Sequence, residues 1–130
     1  MLGCGLVVGP SGDWPMEFRV LGESVPPPGT QDFSAWFRSP PTITVRSEGA
    51  SVVVTGEYTF LCFNHGYDAR GTFKGDVLVL DIRTRRGPIC ATAVVRVVYR
   101  ATFLNVPNGS YRVEVLHEES QVYRGTVEVG

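Results

Sequence analysis

The residues with the widest chemical reach in this chain are three cysteines and two histidines. Cys62 stands at the end of one expected strand and Cys90 at the start of the longest one, so a bridge between them needs only that those strand ends meet. Such a bridge would close a loop of roughly 28 residues and, in the chain-entropy picture, contribute about 3.5 kcal/mol. The competing readings are two buried, reduced thiols, or a metal or redox pair. The last lacks a Cys-x-x-Cys motif and would have to draw a further ligand from His65 or Cys4. His65 lies in the polar stretch Cys62-Phe63-Asn64-His65-Gly66-Tyr67-Asp68, with only Asp68 near enough in sequence to act with it, and reads as a surface-loop residue. His117 adjoins Glu118 and Glu119 at a strand end and reads as solvated, with a weak pH response of its hairpin as the functional alternative.

Nucleophilic catalysis has no sequence support. There is no Gly-x-Ser-x-Gly elbow, and the serines fall in loops and turn edges without a histidine placed by motif. Paired carboxylates would have to converge from distant strands. No catalytic residue, metal site or cofactor is expected, and the chain is not expected to be an enzyme. Two groups of side chains suit binding instead. Arg83, Arg85 and Arg86 form a small basic segment before Gly87-Pro88, read as a solvated turn or as a contact for an anionic partner. Phe33, Trp36 and Phe37 have the i, i+3, i+4 spacing of one helical face, and three aromatics there must be covered. They either plug an open end of the fold or anchor another protein, where Trp and Phe are frequent.

The elements that would position these groups are strands. The 130 residues suffice for one core, and a net charge of −1 gives no reason to expect nucleic acid. Lys74 is the only lysine, and no run approaches the roughly 18 apolar residues of a membrane-spanning helix. Residues 1–15, with glycines at 3, 5, 9 and 12 and prolines at 10 and 15, read as a flexible tether; residues 16–130 read as one domain. Met16-Glu17-Phe18-Arg19-Val20 alternates as a first strand. Pro26-Pro27-Pro28-Gly29 cannot enter a sheet interior, and it leads into a helical turn near 31–37, with Thr30 as the expected cap.

From Thr42 onward the period is two. Thr42–Arg46 turns at Glu48-Gly49 and returns as Ser51–Phe60, where Val52, Val54, Tyr58 and Phe60 share a face and Gly56 marks a bulge or a close backbone approach. Ala69–Lys74 pairs with Val77–Ile82 across Gly75-Asp76. The longest strand runs from about Ala91 to Leu104, with Val95, Val97, Tyr99, Ala101 and Phe103 on a dry face, and Val94, Arg96, Val98 and Arg100 on a mixed one. Ser110–Leu116 and Val122–Val129 follow around Glu118-Glu119-Ser120. This cadence predicts an all-β fold, a single antiparallel β-sandwich of about 7–9 strands.

At Val106-Pro107-Asn108-Gly109-Ser110-Tyr111-Arg112-Val113, a Pro/Asn-Gly turn leads into a Tyr-x-Val strand. With the strand cadence and two cysteines, residues 42–129 resemble the immunoglobulin-like and transthyretin-like sandwich modules of small bacterial lipoproteins. The immunoglobulin Cys…Trp…Cys order is not present, since Trp14 and Trp36 both precede Cys62. Met1-Leu2-Gly3-Cys4 also resembles the end of a lipoprotein signal, in which a small residue precedes a lipid-modified cysteine; Cys4 is otherwise an incidental thiol. The sandwich resemblance implies architecture alone; the expected Cys62–Cys90 bridge and the lipoprotein-like start imply an extracytoplasmic place, periplasmic or at the cell surface, with membrane association through the N-terminus. The expectation is a non-catalytic interaction or scaffold module, an accessory subunit packing onto a larger membrane or envelope protein assembly. The alternative is a small secreted carrier or inhibitor.

Overall fold

The computed structural model describes residues 11–60, 67–84 and 95–130. Nine strands and one short helix are formed among them: β1 (Ser11–Asp13), β2 (Met16–Glu23), α1 (Phe33–Arg38), β3 (Ile43–Glu48), β4 (Ser51–Phe60), β5 (Tyr67–Lys74), β6 (Val77–Thr84), β7 (Val95–Phe103), β8 (Gly109–His117) and β9 (Ser120–Val129). They make two sheets, one ordered β1-β5-β6-β8-β9 and the other β2-β7-β4-β3. The all-β, sandwich-like expectation therefore holds, with two differences. The β6–β8 pair is parallel, because the chain leaves β6, contributes β7 to the other sheet, and returns alongside β6 as β8. And part of the stretch expected to be tether is strand: Ser11–Asp13 pair with Thr72–Lys74 of β5.

Alternation decides what is buried. On β7, Val97, Tyr99, Ala101 and Phe103 point inward and are buried, as do Val52, Val54 and Tyr58 of β4. The five-stranded sheet answers with Leu78, Leu80 and Ile82 of β6, Val113 and Val115 of β8, and Val127 and Val129 of β9. Each of these larger side chains contributes about 1.5–3 kcal/mol on burial. Trp14, just past β1, packs edge-on against Phe73 with ring centroids 5.1 Å apart, and its Nε1–H donates to the Leu104 carbonyl at 2.8 Å.

Gly56 marks a close approach, with no break in the β4 register. A Cβ there would lie 2.6 Å from both Ile43 Cδ1 and the Tyr99 hydroxyl oxygen, so only glycine leaves room for the Tyr99 phenol. The expected hairpins form. Gly75, with φ of 64°, lets β5 turn into β6. On β2 the register slips between Val20 and Gly22, a bulge that leaves Val20 and Leu21 40% and 44% exposed on an edge strand.

Candidate functional site

The connection between β2 and β3 crosses the outer face of the four-stranded sheet, and Arg96 holds it there. Arg96 lies on the outward side of β7 by parity, yet it is only 3% exposed. Its Nη1 donates to the Trp36 carbonyl at 2.6 Å, to the Ser39 hydroxyl at 2.9 Å and to the Ser39 carbonyl at 3.3 Å. Nη2 donates to the Pro40 carbonyl at 3.1 Å and to Glu57 Oε1 at 3.0 Å. The guanidinium also lies 5.1 Å from the centre of the Trp36 ring, a cation–π contact.

Glu57 completes the arrangement from β4. Its carboxylate accepts from the Ser24 hydroxyl at 2.7 Å and from the Thr42 backbone N–H at 3.2 Å. Burial pushes the Glu57 carboxyl up. Hydrogen bonds from Ser24, Thr42 and Arg96, together with the Arg96 charge, outweigh that and hold it below the usual carboxylate value.

The helix so held is one and a half turns long. Asp32, not Thr30, is its N-cap, accepting from the Ala35 N–H at 3.0 Å; the Thr30 hydroxyl instead donates to the Pro27 carbonyl at 2.6 Å. Ser39 closes the other end on the Trp36 carbonyl, and Pro40-Pro41 cannot extend it. None of its residues is buried. Trp36 and Phe37 are half-buried with ring centroids 4.8 Å apart, while Phe33 is 54% exposed. The three aromatics thus do not fill the sandwich interior; they form a partly open platform on its flank.

The other site residues expected from sequence fall elsewhere. Arg83, at the end of β6, is exposed and held by Asp81 at 3.2 Å and Glu119 at 3.7 Å. Arg85, Arg86, Cys4, Cys62, Cys90 and His65 lie outside the described residues, as does Val94.

His117 is not solvated. It points inward with Val113 and Val115, 9% exposed, its ring 4.3 Å from that of Tyr58 and its Nε2 hydrogen-bonded to the Tyr99 hydroxyl at 2.8 Å. Burial depresses its pKa to about 4, against a weaker upward pull from the Glu118 carboxylate. Tyr58 donates its hydroxyl to Glu118 at 2.7 Å, and burial with that hydrogen bond pushes the phenol well above its ordinary value. Glu118 and Glu119 form the β8–β9 turn with φ of 50° and 70°, left-handed values rarely adopted by side chains of this size. Glu118 also accepts from the Thr84 hydroxyl at 2.8 Å, which fixes the turn against β6.

Two of these features went unread in the sequence. His117 had a signal, since it continues the inward register of Val113 and Val115. Arg96 had none, because its cover comes from a connection whose path no periodicity describes. Among the described residues no group of His, Cys, Asp and Glu is arranged to hold a metal ion, and no helix is long and apolar enough to cross a membrane. No protein-family model, no curated protein and no solved structure matches the chain.

Proposed function

We propose that this chain is a non-catalytic interaction module that works outside the cytoplasm, as an accessory subunit packed onto a larger membrane or envelope assembly. One observation carries the reading: a buried arginine, with most of its donors used, fastens to the sheet a helix that buries no residue of its own. Desolvating a guanidinium costs several kcal/mol before its partners offset it. Here the result is a fixed aromatic platform at the surface, with Phe33 outermost, the kind of anchor common at the centre of protein interfaces.

The cysteines support the proposed compartment. Phe60 and Val95 are direct cross-strand partners, and Cys62 lies two residues beyond one and Cys90 five residues before the other. A bridge between them suits an oxidising compartment. Lipid on Cys4 would supply the membrane attachment, and the immunoglobulin-like resemblance belongs to the same proposal.

The test is gentle solubilisation of membranes from the natural source, followed by purification through a tag on this chain. Recovery in a fixed ratio with one larger assembly is expected, and Phe33→Ser should abolish it while leaving the melting temperature unchanged. Recovery as a free monomer carrying a small molecule would instead establish the carrier reading.

A further inference from the structure

On the outer surfaces of the two sheets several arginines are matched by carboxylates. Arg46 pairs with Glu48, Arg70 with Asp13 at 3.6 Å, Arg83 with Asp81 and Arg112 with Asp76 at 3.7 Å, while Glu114 faces Arg124 across β8 and β9. Arg19 of β2 and Arg100 of β7 are direct cross-strand partners, both exposed, and neither has an ion pair or side-chain hydrogen bond among the described residues. Like charges set directly opposite each other destabilise a sheet.

The surroundings define what it would accept. The two arginines border a shallow depression of about 400 Å³, shared with Glu17, Phe18 and Thr102, and Thr55 flanks Arg100 on the far side. Glu17, Arg19 and Arg100 together carry a net charge of +1, which a single carboxylate neutralises. A phosphate dianion would overshoot that charge and meet Glu17. β2 is an edge strand, and the exposed Val20 and Leu21 continue from Arg19 along it, so an extended segment fits beside it.

We propose that the Arg19–Arg100 pair is a docking site for a carboxylate side chain on an extended, acidic segment of the protein partner, laid along β2. This rests on the reading that the chain packs onto another protein, and it adds the partner's chemistry. Each guanidinium offers a planar fork of N–H donors, and two forks side by side receive both oxygens of one carboxylate.

The probe is a blocked hexapeptide of alternating valine and glutamate, titrated into the isotope-labelled full chain at low salt and followed by amide NMR. Saturable shifts centred on Arg19, Arg100, Thr55 and Thr102 are expected. They should weaken about tenfold in Arg19→Gln or Arg100→Gln and vanish at 1 M salt, where the Debye length is about 3 Å. Because both side chains are exposed, the variants should keep the wild-type amide spectrum elsewhere. Equal binding of a glutamine-for-glutamate peptide, unchanged affinity in the arginine variants, or tighter binding of a phosphoserine-for-glutamate peptide would each overturn the proposal. Phe33→Ser should bind the peptide as the wild type does. A failure of the aromatic platform and a failure of the arginine pair are thus read separately.

Discussion

The Arg96 guanidinium and the Glu57 carboxylate lie 3.0 Å apart, and the carboxylate holds both ends of the connection between β2 and β3. Ser24 at its start and Thr42 at its finish both donate to Glu57, while Arg96 takes the carbonyls of Trp36, Ser39 and Pro40 between them. A stretch with three consecutive prolines and no fully buried residue thus acquires a fixed path.

Replacing Arg96 by methionine should release that path. The change removes the donors to three carbonyls and leaves Glu57 without its cation, for an expected loss of about 3 kcal/mol in chemical unfolding. Trp36 fluorescence should shift toward that of a solvated indole before the global transition. Arg96→Met combined with Glu57→Gln should recover part of the stability, because the uncompensated charge is gone.

Acid should weaken the fold in a window set by His117. Its folded pKa of about 4 lies below the ordinary value near 6.5, so the unfolded chain binds more protons between those limits. The stability contributed by the neutral imidazole is fully present above about pH 6.5 and falls by roughly 2–3 kcal/mol as the pH drops to about 4. His117→Gln should flatten the dependence across that range, as followed by urea unfolding at a series of pH values. Glu57, whose pKa is lowered on folding, adds a loss that begins only further into acid.

Gly56→Ala should destabilise the fold although it adds a single methyl. The new carbon would meet the Tyr99 hydroxyl oxygen and Ile43 Cδ1, both at 2.6 Å. Overpacking of this kind costs about 1–3 kcal/mol. Since Tyr99 is the hydrogen-bond partner of His117, the His117 ring resonances should move as well, which proton NMR would detect.

Glu119→Gly should stabilise the chain. At φ of 70° glutamate is strained and glycine is not, and the ion pair forfeited with Arg83 is long, at 3.7 Å, and exposed. A gain of about 1 kcal/mol is expected in thermal unfolding. The same change at residue 118 should fail to stabilise, because Glu118 receives the Tyr58 and Thr84 hydroxyls.

Strand alternation made most of the fold legible. The inward residues of β4, β6 and β7 are those whose spacing marked them, and the turn residues fell where hairpins formed. What alternation does not encode is adjacency between strands, so the parallel β6–β8 pair had no signature. Nor does it encode which polar residues will be covered. Arg96 and Arg100 share one face of β7, and only the connection carrying α1 makes one buried and the other exposed. His117 was hidden by its neighbours, since two glutamates after it suggest solvent while its own parity points to the core.

The parallel pairing of β6 and β8 also bears on how the chain is made. A ribosome delivers β5 and β6 as a finished hairpin, but the inner edge of β6 has no neighbour until β7 has crossed to the opposite sheet and β8 has emerged. During that interval an apolar strand carrying Leu78, Leu80 and Ile82 is unsealed, and strand edges of this kind seek pairing with other chains. Each sheet draws its strands from both halves of the sequence, so neither sheet can be completed early. Folding dominated by such distant pairings proceeds in milliseconds to seconds rather than microseconds. The β8–β9 hairpin, arriving after β7, is what seals the edge of β6.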